Sequence, residues 1–363
     1  MCDALPPLRA SWTRVHTSIP RALSSHSLAI VNDYAYVFGG EQQARRPVDN
    51  AMHAYTLPGA SELLAATFHA DYDHIVPEAG GGGPVPPPRV GHTGAAIGAL
   101  IYVFGGCDSP AMAPLEERGR LWIFNTANRK WTHLDPVPAS PIPSARSYHT
   151  SVATNISFTG TSDGLAAAGT VLVHAGRKEN VRFNDTWAFD VASRTWKQLP
   201  DGPAPPRGGP AVAFAQGKLW RFGGFDGNRE LGGQLDFLDM RAPREWSSVP
   251  VPDGQGPGPR CVAGMQLMTA AGGREYLVVF GGERAPSAQG HAGAGRFWGD
   301  VWAYALGEEA GWRQVETDDT EKMGERGWFA SAGGIRGGSA VLLWGGLNAQ
   351  NRREDDGWLL SLR

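Results

Sequence analysis

The segment LIYVFGG at residues 100–106 decides how the chain reads. It is a short apolar run that stops at a glycine pair. The same device returns as YVFGG ending at Gly40, LVHAG at Gly176, LWRFGG at Gly224, LVVFGG at Gly282 and LLWGG at Gly346. A continuous apolar run of this length, closed by glycine, reads as a strand covered on both faces. Six such runs at a basic spacing of about 50 residues, with insertions, are the mark of a repeat architecture. Glycine suits the end of each run because the backbone must turn sharply there while neighbouring segments approach closely.

The repeat extends both ways from the glycines. Upstream stands an arginine, often after prolines: Arg21, Arg89, Arg146, Arg207, Arg260 and Arg326. Downstream comes a strand with an aromatic near an acid, as in Asp185-Thr186-Trp187, Asp300-Val301-Trp302 and Asp356-Gly357-Trp358. A second tryptophan follows at Trp131, Trp196, Trp246 and Trp312. Blade one shows none, and its stretch from Leu57 to Pro88 reads as an insertion. With these features the chain resembles the kelch-repeat family. The resemblance implies an all-β, six-bladed kelch-type propeller occupying residues 1–363, with blades near 17–79, 80–135, 136–200, 201–250, 251–316 and 317–363 plus 8–16. The last blade lacks its outer strand after Trp358. The stretch Ser11-Trp12-Thr13-Arg14-Val15 matches Lys130-Trp131-Thr132 in character, so the N-terminal strand is expected to complete that blade and remove a sheet edge. Residues 155–169 read as a longer hairpin in blade three, and 287–296 as a glycine-rich loop in blade five.

Composition narrows the function classes. The formal net charge is −3 and there is no basic block, so no phosphate backbone would be neutralised and a nucleic-acid role is excluded. No apolar run is long enough to span a membrane, and the start has no signal-peptide core. The three cysteines, Cys2, Cys107 and Cys261, lie far apart without CxxC spacing, which fits a reducing compartment; a cytoplasmic location is expected.

The loop from Glu283 to Gly295, with Arg326-Gly327-Trp328 and the closing LLWGG stretch, is similar to nitrile-specifier and thiocyanate-forming kelch proteins. That resemblance implies ferrous iron as cofactor, Fe(2+), held by a pattern E-x3-D-x3-H, and lyase or product-steering chemistry on a small anionic metabolite of secondary metabolism. On this chain the pattern falls on Glu283, Ser287 and His291, with a serine in place of the middle carboxylate. A hydroxyl is a weaker ligand than a carboxylate, so iron would be held by one carboxylate and one imidazole. The other reading has Glu283 bonded to a neighbouring blade and His291 capping the loop. The resemblance also implies anion-holding arginines at Arg89 and Arg146; Arg326 and Trp328 join them as candidate ligand-binding residues, against a reading of the arginines as inter-blade ties. His26, His92 and His149 begin the next strands and read as structural. A non-catalytic scaffold for a protein partner is the alternative function, on fold analogy alone.

Overall fold

The computed structural model describes residues 7–57, 67–157, 169–290, 293–307, 310–317 and 321–363. Each apolar run forms the second strand of a four-stranded antiparallel sheet. In blade two the order is Thr93–Ile97, Leu100–Phe104, Leu121–Asn125 and Lys130–Leu134, each strand paired with the next. Six such sheets stand around an axis, with their inner strands touching in a closed cycle. Buried apolar clusters fill the interfaces between consecutive blades, from blades one and two round to blades six and one. Second strands such as Tyr34–Phe38 and Ala340–Trp344 are flanked by blades on both faces, which explains their unbroken apolar character.

The outer strand of blade six is the N-terminal strand Arg9–Thr17. It pairs antiparallel with Gly357–Leu362, with Trp12 opposite Leu360. Phe124 opposite Trp131, Phe189 opposite Trp196 and Tyr304 opposite Trp312 repeat the same register. In blade one Tyr55 faces Tyr72, so the outer strand is Tyr72–Ile75 and a tyrosine stands where the other blades carry tryptophan. The stretch read as a plain insertion therefore holds a blade strand. It also holds Thr67–Ala70, which pairs parallel with the closing strand. The hairpin expected at 155–169 lies largely outside the described residues, and the strands flanking it pair directly.

The repeat arginine is an internal tie. Arg146 donates to both carboxylate oxygens of Asp185 and to the carbonyl of Ala175, and the Trp187 indole donates to the same carboxylate. Arg260 with Asp300 and Trp302, Arg326 with Asp356 and Trp358, and Arg89 with Glu117 and Trp122 repeat the arrangement. Blade one departs from it. There Leu23 holds the backbone position of the arginine, its carbonyl accepting from Gly346, while Arg21 reaches Asp49 from two residues upstream. In blade four Arg221 takes Asp236, leaving Arg207 to bond carbonyls only; burial lowers the Arg207 pKa to about 9. Breaking a buried pair strands its partner charge. Asp300→Asn should therefore lower stability by roughly 3–5 kcal/mol; a change below about 1 kcal/mol in urea unfolding, the scale of an ordinary surface pair, would contradict the role.

Candidate functional site

Six backbone hydrogen bonds close a ring around the axis. Gly91 N–H donates to Ser25, Tyr148 to Gly91, Gly209 to Tyr148, Val262 to Gly209, Trp328 to Val262 and Ser25 to Trp328, at 2.7–3.1 Å. All six residues have positive φ, from 46° at Val262 to 63° at Gly91. A β-branched valine and a tryptophan in that region are uncommon and strained, and such strain persists only where the surroundings over-determine it. The ring supplies that constraint. Four of its members, Tyr148, Gly209, Val262 and Trp328, line a cavity of about 570 Å³ at the end of the propeller where the second and third strands connect.

The walls come from those connecting hairpins. Each begins at the residue after the glycine pair: Glu41, Cys107, Arg177, Phe225, Glu283 and Leu347. At Gly282 a φ of +99° and a neighbouring Ala263 Cβ, 2.6 Å from where a side chain would begin, require glycine and fix the direction in which Glu283 leaves the blade. On the blade-two side Val90, Cys107, Met112 and Tyr148 pack with Trp328 against them, so that side is filled with apolar groups.

Blade three provides the positive wall. Arg177 and Arg182 are direct partners on a two-stranded ribbon, and both line the cavity. Like charges opposite one another on a ribbon repel. Neither guanidinium has a carboxylate within ion-pair distance among the described residues, in contrast to Arg353, which is paired with the buried Glu41 at 3.1 Å. Arg182 lies over the Phe225 ring at 5.1 Å. Burial and then the Arg177 charge lower its pKa.

Blades four and five provide the acidic wall. Glu230 faces Phe225 across a bridge, and Cys261 faces Glu283 across another. Ligand atoms of Glu230, Cys261 and Glu283 all lie within 4.8 Å of one another, and all three residues are buried. Glu283 accepts from the Gly295 N–H at 3.1 Å and from the Trp328 indole at 3.2 Å. Burial, reinforced by the Glu230 charge, pushes its carboxyl up to about 7. Burial also raises Glu230 and raises the Cys261 thiol well above its ordinary value, with Glu283 adding to the latter.

Of the residues singled out from the sequence, Glu283, Ser287 and Trp328 line this cavity. The Ser287 hydroxyl accepts from Gln289 N–H at 3.1 Å. His291 lies outside the described residues. Arg89, Arg146 and Arg326 do not line the cavity: all three are buried with both guanidinium ends on blade carboxylates, which makes them ties within the scaffold. His92 bonds Ser27 and His149 bonds Thr93 across blade interfaces. Sequence reading missed Arg177, Arg182, Glu230 and Cys261. The column of post-glycine residues marks Arg177, and Cys261 is the residue that follows Arg260; Arg182 and Glu230 carry no such signal.

The family model described as the KLHDC2/KLHL20/DRC7 Kelch-repeats domain matches residues 5–201 and 159–346. The chain is 28% identical over 368 residues to the N-(sulfonatooxy)prop-2-enimidothioate sulfolyase of Thlaspi arvense, covering 96% of each. It is 25% identical over 240 residues to Kelch domain-containing protein 3 of Bos taurus, matching 63% of this chain and 55% of that protein. The solved structure titled "Structure of YjhT" superposes with a TM-score of 0.65 over 96% of this chain and 98% of that one, at 15% identity, a likeness of fold. No helix among the described residues is long and apolar enough to cross a membrane.

Proposed function

The chain belongs to the kelch-repeat family, and from that premise we propose that it binds a small organic anion in the cavity at the hairpin end of its channel. The observation that carries this reading is the Arg177–Arg182 pair, two cross-strand guanidiniums lining the cavity with no carboxylate in ion-pair distance of either among the described residues. Each guanidinium is a planar fork matched to an oxyanion, and both act here in a partly enclosed, low-dielectric space. The cavity has the volume of a small-molecule site. Tyr148, Phe225 and Trp328 offer aromatic surface for the organic part of the ligand. The relative aligned along nearly its whole length is named for a substrate with a sulfonatooxy group, which makes a sulfate ester the first ligand to test. Guanidiniums so placed also stabilise charge growing on a departing sulfate, so the same pair suits a lyase step.

The test is titration of the full chain with a stable aryl sulfate, followed by Trp fluorescence. Arg177→Gln and Arg182→Gln should each weaken binding roughly 10- to 100-fold, the scale of a lost charge-assisted bond. Raised salt should weaken it less than it would an exposed pair. Unchanged affinity in both variants would remove the anion site.

A further inference from the structure

The neighbouring wall of the cavity, from blades four and five, carries the opposite charge. Glu230, Cys261 and Glu283 bring two carboxylates and a thiol within 4.8 Å of one another on three backbone segments held by bridges. Cys261 and Glu283 exchange both backbone hydrogen bonds, at 3.0 and 2.9 Å, so they oppose each other directly. The three residues keep only 7%, 4% and 6% of their surface exposed. Among the described residues no cation stands within ion-pair distance of either glutamate, and Glu230, which lines the cavity, has a buried Oε1 with no hydrogen-bond partner. Buried carboxylate oxygens are almost always satisfied, so an orphaned one beside a thiol and a second carboxylate needs a positive partner.

The geometry points to a divalent transition-metal site formed by Glu230, Cys261 and Glu283. It differs in two of its three members from the Glu283, Ser287 and His291 pattern. Ser287 offers a neutral hydroxyl already accepting from Gln289, whereas Cys261 and Glu230 offer anionic donors. A thiolate with two carboxylates selects zinc, cobalt or ferrous iron over magnesium or calcium. The separations are an upper bound for a sphere with bonds of about 2.0–2.3 Å, and rotation of the two glutamate side chains has to close the remainder. The Gly295 N–H and the Trp328 indole, already on Glu283, would act as the orienting shell. Three protein ligands leave a position open toward the cavity, the pattern of a working rather than a purely structural metal. A dication there also reverses the repulsion that now holds all three groups toward their neutral forms. This inference does not rest on anion binding, and Arg177→Gln should retain full metal affinity.

The experiment uses the full chain stripped with chelator and titrated with Zn2+ by calorimetry and with Co2+ by absorption. One equivalent should bind, and the cobalt form should show thiolate-to-metal charge transfer in the near ultraviolet. Cys261→Ser should abolish that band. Glu230→Gln, nearly isosteric, should keep it while weakening affinity by more than the roughly 10- to 100-fold typical of a lost supporting residue. The unmodified protein alone suffices to overturn the proposal, by binding no zinc or by binding cobalt without the band. Binding undiminished in both Glu230→Gln and Cys261→Ser would overturn it as well, because the metal would then be held elsewhere, with His291→Ala the variant to locate it.

Discussion

A protein lacking residues 1–16 is expected to lose its cooperative unfolding transition while keeping much of its strand signal. The segment from Ala10 to Val15 pairs residue by residue with Gly357–Leu362, so its removal turns an interior strand into a bare edge. It also removes Trp12, which meets Phe280 and Trp358 edge-on with ring centroids 6.2 and 6.5 Å apart. Leu8, Ala10 and Trp12 belong to the cluster between blades five and six, and Val15 to the cluster between blades six and one. One strand therefore seals two interfaces at once. The single change Trp12→Ala should cost about 3–5 kcal/mol, the range for a buried aromatic. The truncation should go further, because the ring has no closure without it. Calorimetry or urea unfolding reads the difference, and a truncated protein with an unchanged sharp transition would mean that closure lies elsewhere.

Stability is expected to collapse between about pH 6.5 and 5. His26, His92, His149 and His174 are all buried. Burial lowers His26 and His149 to about 3, and lowers His92 and His174 well below the ordinary value, with Arg89 and Arg221 adding repulsion to the latter two. At His174 the neutral form is required by geometry, since the Arg221 guanidinium faces its Nε2 at 3.2 Å. In the unfolded chain these imidazoles take up protons near pH 6.5, while in the folded chain they stay neutral until far lower pH. The unfolded state thus binds more protons in this window, and stability falls as pH falls. Each histidine contributes roughly 1.4 kcal/mol per pH unit below 6.5, against a total stability of about 5–15 kcal/mol for a typical domain. The raised carboxyls of Glu283 and Glu230 oppose them by binding protons when folded, while the lowered His53 adds to them. Unfolding at pH 5.5 should take up about three protons net, measurable from the pH dependence of urea midpoints. Flat stability from pH 7.5 to 5.5 would contradict the neutral-histidine assignment.

The propeller was legible because its determinants repeat. Six glycine-ended strands, five arginines in register and a displaced Trp12 strand all point to the same ring, and one substitution cannot hide the pattern. Where a repeat broke its own rule the reading slipped. Tyr72 in place of tryptophan concealed the outer strand of blade one, and Arg21 stood two residues from the position that Leu23 occupies. The cavity was legible only in part, through Glu283, Ser287 and Trp328. Arg177 and Arg182 share one hairpin of blade three, Glu230 and Cys261 come from two other blades, and no repeated position marks the four as a set. Ring closure alone brings them to one axis. The arginines that did repeat drew attention because they repeat, and repetition is the property of a scaffold part: their carboxylates are supplied by the same blades.

The central claim is that the hairpin-end cavity takes an anion between the blade-three guanidiniums. Crystals of the full chain soaked with a bromine-labelled aryl sulfate test it most directly, since anomalous scattering locates the bromine without reference to the protein phases. One site inside the cavity is expected, with the sulfate on Arg177 and Arg182 and the ring toward Trp328. Bromine found only on the outer surface, or beside Arg89 and Arg146 with the cavity empty, would contradict it.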